Sequence, residues 1–140
     1  MTSNVLSQWS VLHRKLAGLS AALQAPNEPG GWLPPTDVVE DDDGFVVRME
    51  LAGVTREDVR VRLEGRALVV EGVRRPPACT GARFRQLEME YGPFRRVVPL
   101  PDSVAARRTK ASLNDGVMEI SLPRSRRPMS KKIVMVVMNA

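Results

Sequence analysis

Residues 111–123 read Ala111-Ser112-Leu113-Asn114-Asp115-Gly116-Val117-Met118-Glu119-Ile120-Ser121-Leu122-Pro123. Asp115-Gly116 is a dipeptide that accepts the positive φ angles of a tight hairpin turn. Beyond the turn Met118, Ile120 and Leu122 alternate with Glu119 and Ser121. That period of two gives one apolar face and one wet face, and Pro123 ends the pairing. The hairpin holds no nucleophile, general base or metal-ligand set, so it points to a scaffold that works through its surfaces.

The same pattern extends outward. Phe45, Val47, Met49 and Leu51 alternate with Val46, Arg48 and Glu50, and Val59, Val61 and Leu63 alternate with Arg60, Arg62 and Glu64. Glu64-Gly65-Arg66 turns the chain into Ala67 to Val73. Phe94 to Leu100 forms another strand closed by Pro101, and Phe84 to Glu90 a weaker one. Short strands with turn signals between them predict an all-β protein, an antiparallel β-sandwich spanning residues 35–123. Aromatics make up 4% of the chain, so its core has to be aliphatic. The four acids Glu40 to Asp43 lack the twelve-residue pattern of a helix-loop-helix calcium site and read as a solvated loop.

Two arms flank the sandwich. In residues 1–34, Leu6, Trp9, Leu12, Leu16, Leu19 and Leu23 recur at spacings of three and four, the stripe of an amphipathic helix. The run PNEPGGWLPP then cuts that helical or disordered arm from the sandwich. The stripe either packs back on its own core or binds other chains. Residues 124–140 form an extended tail that starts with the charged linker Arg124-Ser125-Arg126-Arg127-Pro128. Residues 132–138 follow as a strand that is apolar on both faces. Such a segment aggregates if left bare, so it has to dock on its own sheet or on a neighbour.

The net charge of +5 is not spread evenly. Residues 31–123 carry 14 basic and 15 acidic side chains, and the tail holds five basic residues with no acid. A basic tail on a neutral body is not the footprint of a nucleic-acid groove. No run of apolar residues is long enough to span a membrane. No basic region followed by an apolar block opens the chain, and Cys79 is the single cysteine, so a reducing, cytoplasmic setting is expected.

The middle part resembles the α-crystallin domain of bacterial-type small heat-shock proteins. Ala111 to Met118 is similar to the signature A-x-x-x-[ND]-G-V-L, with Met118 in place of Leu. Gly92-Pro93-Phe94-Arg95-Arg96-Val97-Val98-Pro99-Leu100-Pro101 resembles G-x-F-x-R-x-x-x-L-P. Leu51-Ala52-Gly53-Val54 with Glu57-Asp58-Val59 resembles L-P-G-V…E-D-I. In the tail Ile133-Val134-Met135 is the direct match to the family's I-x-I anchor, and Val134-Met135-Val136 is the same pattern one residue on.

The resemblance implies an immunoglobulin-like sandwich that dimerises and then builds larger homo-oligomers. It implies an ATP-independent holdase that captures unfolding clients and hands them to ATP-driven refolding chaperones. Leu6, Trp9, Leu12 and Leu16 would meet clients. Ala82 to Glu88 would be a short strand that pairs with the partner subunit, putting Phe84 and Leu87 at the dimer interface together with Arg96. Ile133 and Met135 would insert into a neighbour's groove lined by Val61, Leu63, Ala111 and Leu113.

Two other classes compete. An enzyme is disfavoured because the only histidine, His13, lies in the N-terminal arm, so no Ser-His-Asp set forms on the sandwich. One His and one Cys support no metal site, and no P-loop motif is present, so no cofactor is expected. The alternative binding module is a monomeric sandwich-fold co-chaperone adaptor, a class that typically lacks an I-x-I-like tail.

Overall fold

The computed structural model describes residues 31–128 and 132–139. Among them run nine strands: β1 (Thr36–Glu40), β2 (Gly44–Glu50), β3 (Val59–Glu64), β4 (Ala67–Arg74), β5 (Gly92–Pro99), β6 (Lys110–Asn114), β7 (Val117–Pro123), β8 (Ile133–Met135) and β9 (Met138–Asn139). One sheet has the order β1-β2-β7-β6-β9 and the other β5-β4-β3-β8. Every ladder is antiparallel except the short pairing of β6 with β9. This is the expected all-β sandwich.

The alternation in sequence sets the core. Phe45, Val47 and Met49 of β2 and Met118, Ile120 and Leu122 of β7 face Val59, Val61 and Leu63 of β3 and Leu68 and Val70 of β4, all buried. Each such side chain contributes roughly 1.5–3 kcal/mol on leaving water. The β6–β7 hairpin has the expected two-residue turn, with Asp115 at φ 52° and Gly116 at φ 77°. A Cβ on Gly116 would sit 3.1 Å from the Ala52 backbone, and the Leu51 amide donates to the Gly116 carbonyl at 2.7 Å. The turn therefore docks the hairpin on the segment that leaves β2.

Three features differ from the sequence reading. Trp32 and Pro34, on the arm side of the expected boundary, are buried in the sandwich. The Trp32 indole donates to the Gly92 carbonyl at 3.0 Å and meets the Phe94 ring edge-on at 5.5 Å. Next, the weak strand expected at residues 84–90 is not formed, and among the described residues no strand pairs with this segment. Lastly, the linker is pinned at its start. The Arg124 amide donates to the Asp43 carbonyl at 2.7 Å, and the Ser125 amide to the Ser103 carbonyl at 2.9 Å.

Candidate functional site

β3 and β6 lie on the same side of the sandwich, one in each sheet, and both would be open edges if the chain stopped at β7. The tail closes both. β8 pairs antiparallel with β3, matching Glu64 with Ile133, Leu63 with Val134 and Arg62 with Met135. The ladder continues through the Val136 amide, which donates to the Val61 carbonyl at 2.9 Å. The chain then crosses to the other sheet, where β9 pairs Met138 with Ala111 and Asn139 with Ser112. An Arg56 guanidinium N–H donates to the Met138 carbonyl at 3.0 Å and fixes the crossing point.

The four groove residues expected from sequence come together here. Val61, Leu63 and Ala111 are buried, and Leu113 packs partly buried against the core. The tail residues that face them are Val134, Val136 and Met138. Ile133 and Met135, the expected anchor pair, point outward and are 62% and 57% exposed. Within this chain, pairing Leu63 with Val134 fixes the parity of the docked strand, and a one-residue slip would send the whole apolar set to the other face.

The opposite side of the sandwich carries the other expected contacts. β1 and β5 are its edges. Phe84 and Leu87 stand on the long loop between β4 and β5, 60% and 63% exposed, with Met89 beside them. Val38 and Val39 on β1 are about half exposed. Arg74 holds the base of this loop: it donates to the carbonyls of Glu90 and Ala52 and stacks over the Trp32 ring at 3.9 Å. Arg96 is buried within its own protomer, on the face of β5 that it shares with Phe94 and Val98. Burial lowers its pKa below the usual arginine value by desolvating the cation. The alternation of β5 put Arg96 on the core face, a signal present in the sequence.

Other charged groups have structural work. The Asp41 carboxylate accepts from the Asp43 and Gly44 amides at 2.8 and 3.0 Å. Arg124 donates to the Asp42 carbonyl at 2.9 Å and pairs with Glu40 and Asp102. The acidic run is thus a turn clamped by one arginine. A shallow depression of 390 Å³ near β4 and β5 is lined by both signs of charge. Asp58 there accepts from Arg75 at 2.9 and 3.0 Å, which holds its carboxyl below the usual value of 3.8. No cluster of three potential metal ligands occurs among the described residues, and none of their helices is long and apolar enough to cross a membrane. Leu6, Trp9, Leu12 and Leu16 lie outside the described residues.

Comparison with known proteins agrees with this architecture. The model of the Hsp20/alpha crystallin family matches residues 37–137. A 17.7 kDa class II heat shock protein of Arabidopsis thaliana is 32% identical over 101 residues, covering 70% of this chain and 65% of the relative. This chain thus spans just under two thirds of that relative's length. Heat shock protein 16 of Schizosaccharomyces pombe is 31% identical over 111 residues, covering 77% of this chain and 78% of the relative. The solved structure of heat shock protein 16.0 from the same yeast superposes with a TM-score of 0.65 at 30% identity, over 72% of this chain and 94% of that one.

Proposed function

The chain belongs to the Hsp20/alpha crystallin family, and from that premise we propose that it is an ATP-independent holdase that binds unfolding proteins and keeps them from aggregating. The observation that carries this reading is a well-buried core beside large apolar side chains left in water: Phe84, Leu87, Met89, Val38 and Val39 on one side, and the outer row of the tail on the other. Exposed apolar surface of this kind marks a binding face. The N-terminal stripe Leu6, Trp9, Leu12 and Leu16 adds apolar contacts of the sort that capture clients weakly and without sequence preference.

Assembly keeps such surface from fusing into an aggregate of its own. Among the described residues β1 is an open edge, and Ala82 to Glu88 has no strand partner. Adding that segment to the partner's β1 forms a dimer by strand addition and covers Phe84 and Leu87. Arg96, on the core face of β5, supports the interface from within the protomer. Exchange of tails between grooves then joins dimers into larger homo-oligomers. Bound clients pass on to ATP-driven refolding chaperones.

Native mass spectrometry before and after heating with a heat-labile client tests the reading. The expected result is an assembly well above the 15.5 kDa monomer, and after heating a soluble complex with client in the absence of ATP. A monomer that forms no client complex would instead identify a co-chaperone adaptor.

A further inference from the structure

We infer that Arg74 is a clasp joining two segments that lie far apart in sequence: the exit of the N-terminal arm at Trp32 and the β4–β5 loop that carries the dimer contact proposed above. Arg74 acts on assembly through that loop, as a positioning residue. The consequence for assembly rests on the dimer reading, whereas the clasp itself stands on contacts within one chain.

The clasp is built at one corner of the sandwich. Arg74 ends β4 and lies opposite Gly92, which starts β5, so it sits where the loop of residues 75–91 leaves and returns. All three guanidinium nitrogens are used. Nε donates to the Glu90 carbonyl at 2.8 Å, and one terminal nitrogen donates to the same oxygen. The other terminal nitrogen donates to the Ala52 carbonyl at 3.2 Å. The guanidinium carbon lies 3.9 Å from the centre of the Trp32 ring and 5.7 Å from that of Tyr91.

Two of these partners belong to the body of the sandwich and two to the loop. Ala52 packs against the Gly116 turn. Trp32 is buried, with its amide bonded to the Pro93 carbonyl and its indole to the Gly92 carbonyl. Glu90 and Tyr91 are the last residues of the loop, which contains no strand and exposes Phe84, Leu87 and Met89. One cation at its base therefore sets how the loop leaves the sheet. A flat guanidinium can stack on an indole and donate to two carbonyls at its edge, which the single ammonium of a lysine cannot. A change at Arg74 thus reaches the arm and the loop together.

The single thiol of the chain supplies the probe, since Cys79 is exposed within this loop. A nitroxide label on Cys79 reports loop mobility by electron paramagnetic resonance in the parent, in Arg74→Lys and in Arg85→Lys. Arg74→Lys keeps the charge, and Arg85→Lys alters an exposed arginine of the same loop. Losing one hydrogen bond from a charged donor should raise the ratio of mobile to immobile label by about tenfold in Arg74→Lys. In unlabelled protein, the weaker stack should quicken hydrogen exchange at the Trp32 amide by about fivefold. The Leu100 amide, bonded to the Arg66 carbonyl at the far end of the β4–β5 pair, should keep the parent rate. Arg85→Lys should match the parent in both measurements.

An unchanged label in Arg74→Lys, or equal loosening in Arg85→Lys, overturns the clasp. A mobile label with an unchanged Trp32 amide overturns the link to the arm. Exchange that quickens as much at Leu100 as at Trp32 marks general destabilisation and also overturns the clasp. Analytical ultracentrifugation of unlabelled Arg74→Lys tests the consequence: subunits should dissociate more readily, because a loose loop presents its docking position less often. A loosened loop and arm with unchanged dissociation leaves the clasp standing and overturns the reading of this loop as the dimer contact.

Discussion

Replacing Val134 and Val136 by alanine should open the tail, whereas replacing Ile133 and Met135 should not. Val134 and Val136 pack partly buried against the core, while Ile133 and Met135 are mostly in water. Each Val→Ala change removes two carbons. At about 0.8 kcal/mol per fully buried methylene, halved for partial burial, each change costs roughly 0.8 kcal/mol. The pair then costs about 1.6 kcal/mol, which raises the open population by about 15-fold. The Val136 amide, bonded to the Val61 carbonyl, reports this directly. Its hydrogen exchange should quicken by about that factor in Val134→Ala/Val136→Ala. It should stay within about twofold of the parent in Ile133→Ala/Met135→Ala, because exposed side chains lose little transfer energy. If the outer pair quickens exchange as much as the inner pair, the register of the tail is wrong.

Further outcomes follow from the same geometry. Trp32→Ala removes a buried ring, its bond to the Gly92 carbonyl and its edge contact with Phe94, and should cost about 3–5 kcal/mol in urea unfolding. Trp32→Phe keeps most of the ring and should cost clearly less. Phe84→Ser with Leu87→Ser should leave the thermal midpoint of the protomer nearly unchanged, since both side chains are exposed, while dissociation measured by analytical ultracentrifugation shifts towards monomer. Hydrogen bonds from Arg75 lower the Asp58 pKa in the folded state, so the charged form favours folding. That contribution is fully present above the ordinary value of 3.8 and is lost as pH falls through the lower folded value. The stability gap between the parent and Asp58→Asn, followed by thermal melts across pH, should therefore close below that range; a gap that widens in acid contradicts the assigned sign.

The fold was legible where burial is one-sided. Phe45 to Met49, Val59 to Leu63 and Met118 to Leu122 alternate cleanly, and each turned the expected residues inward. β1 gave no such signal, because Val38 and Val39 are adjacent, flanked by acids and half exposed on an edge strand. Trp32 was hidden by the prolines and glycines around it, which mark a chain break in sequence but here carry the indole onto Phe94. The groove residues were legible because they belong to regular strands. The tail register was not: residues 133–138 are apolar at every position, so nothing in the side chains distinguishes the two faces, and only the pairing with β3 decides. Phe84 to Glu90 has strand composition but no strand partner among the described residues, and composition alone cannot supply one.

The most direct test of the account is the light scattering of a heat-labile enzyme warmed with this protein at equimolar subunit ratio and without ATP. A holdase predicts that scattering is strongly suppressed while the enzyme stays in solution bound to the protein. A scattering curve that matches that of an inert protein at the same concentration would contradict the central claim.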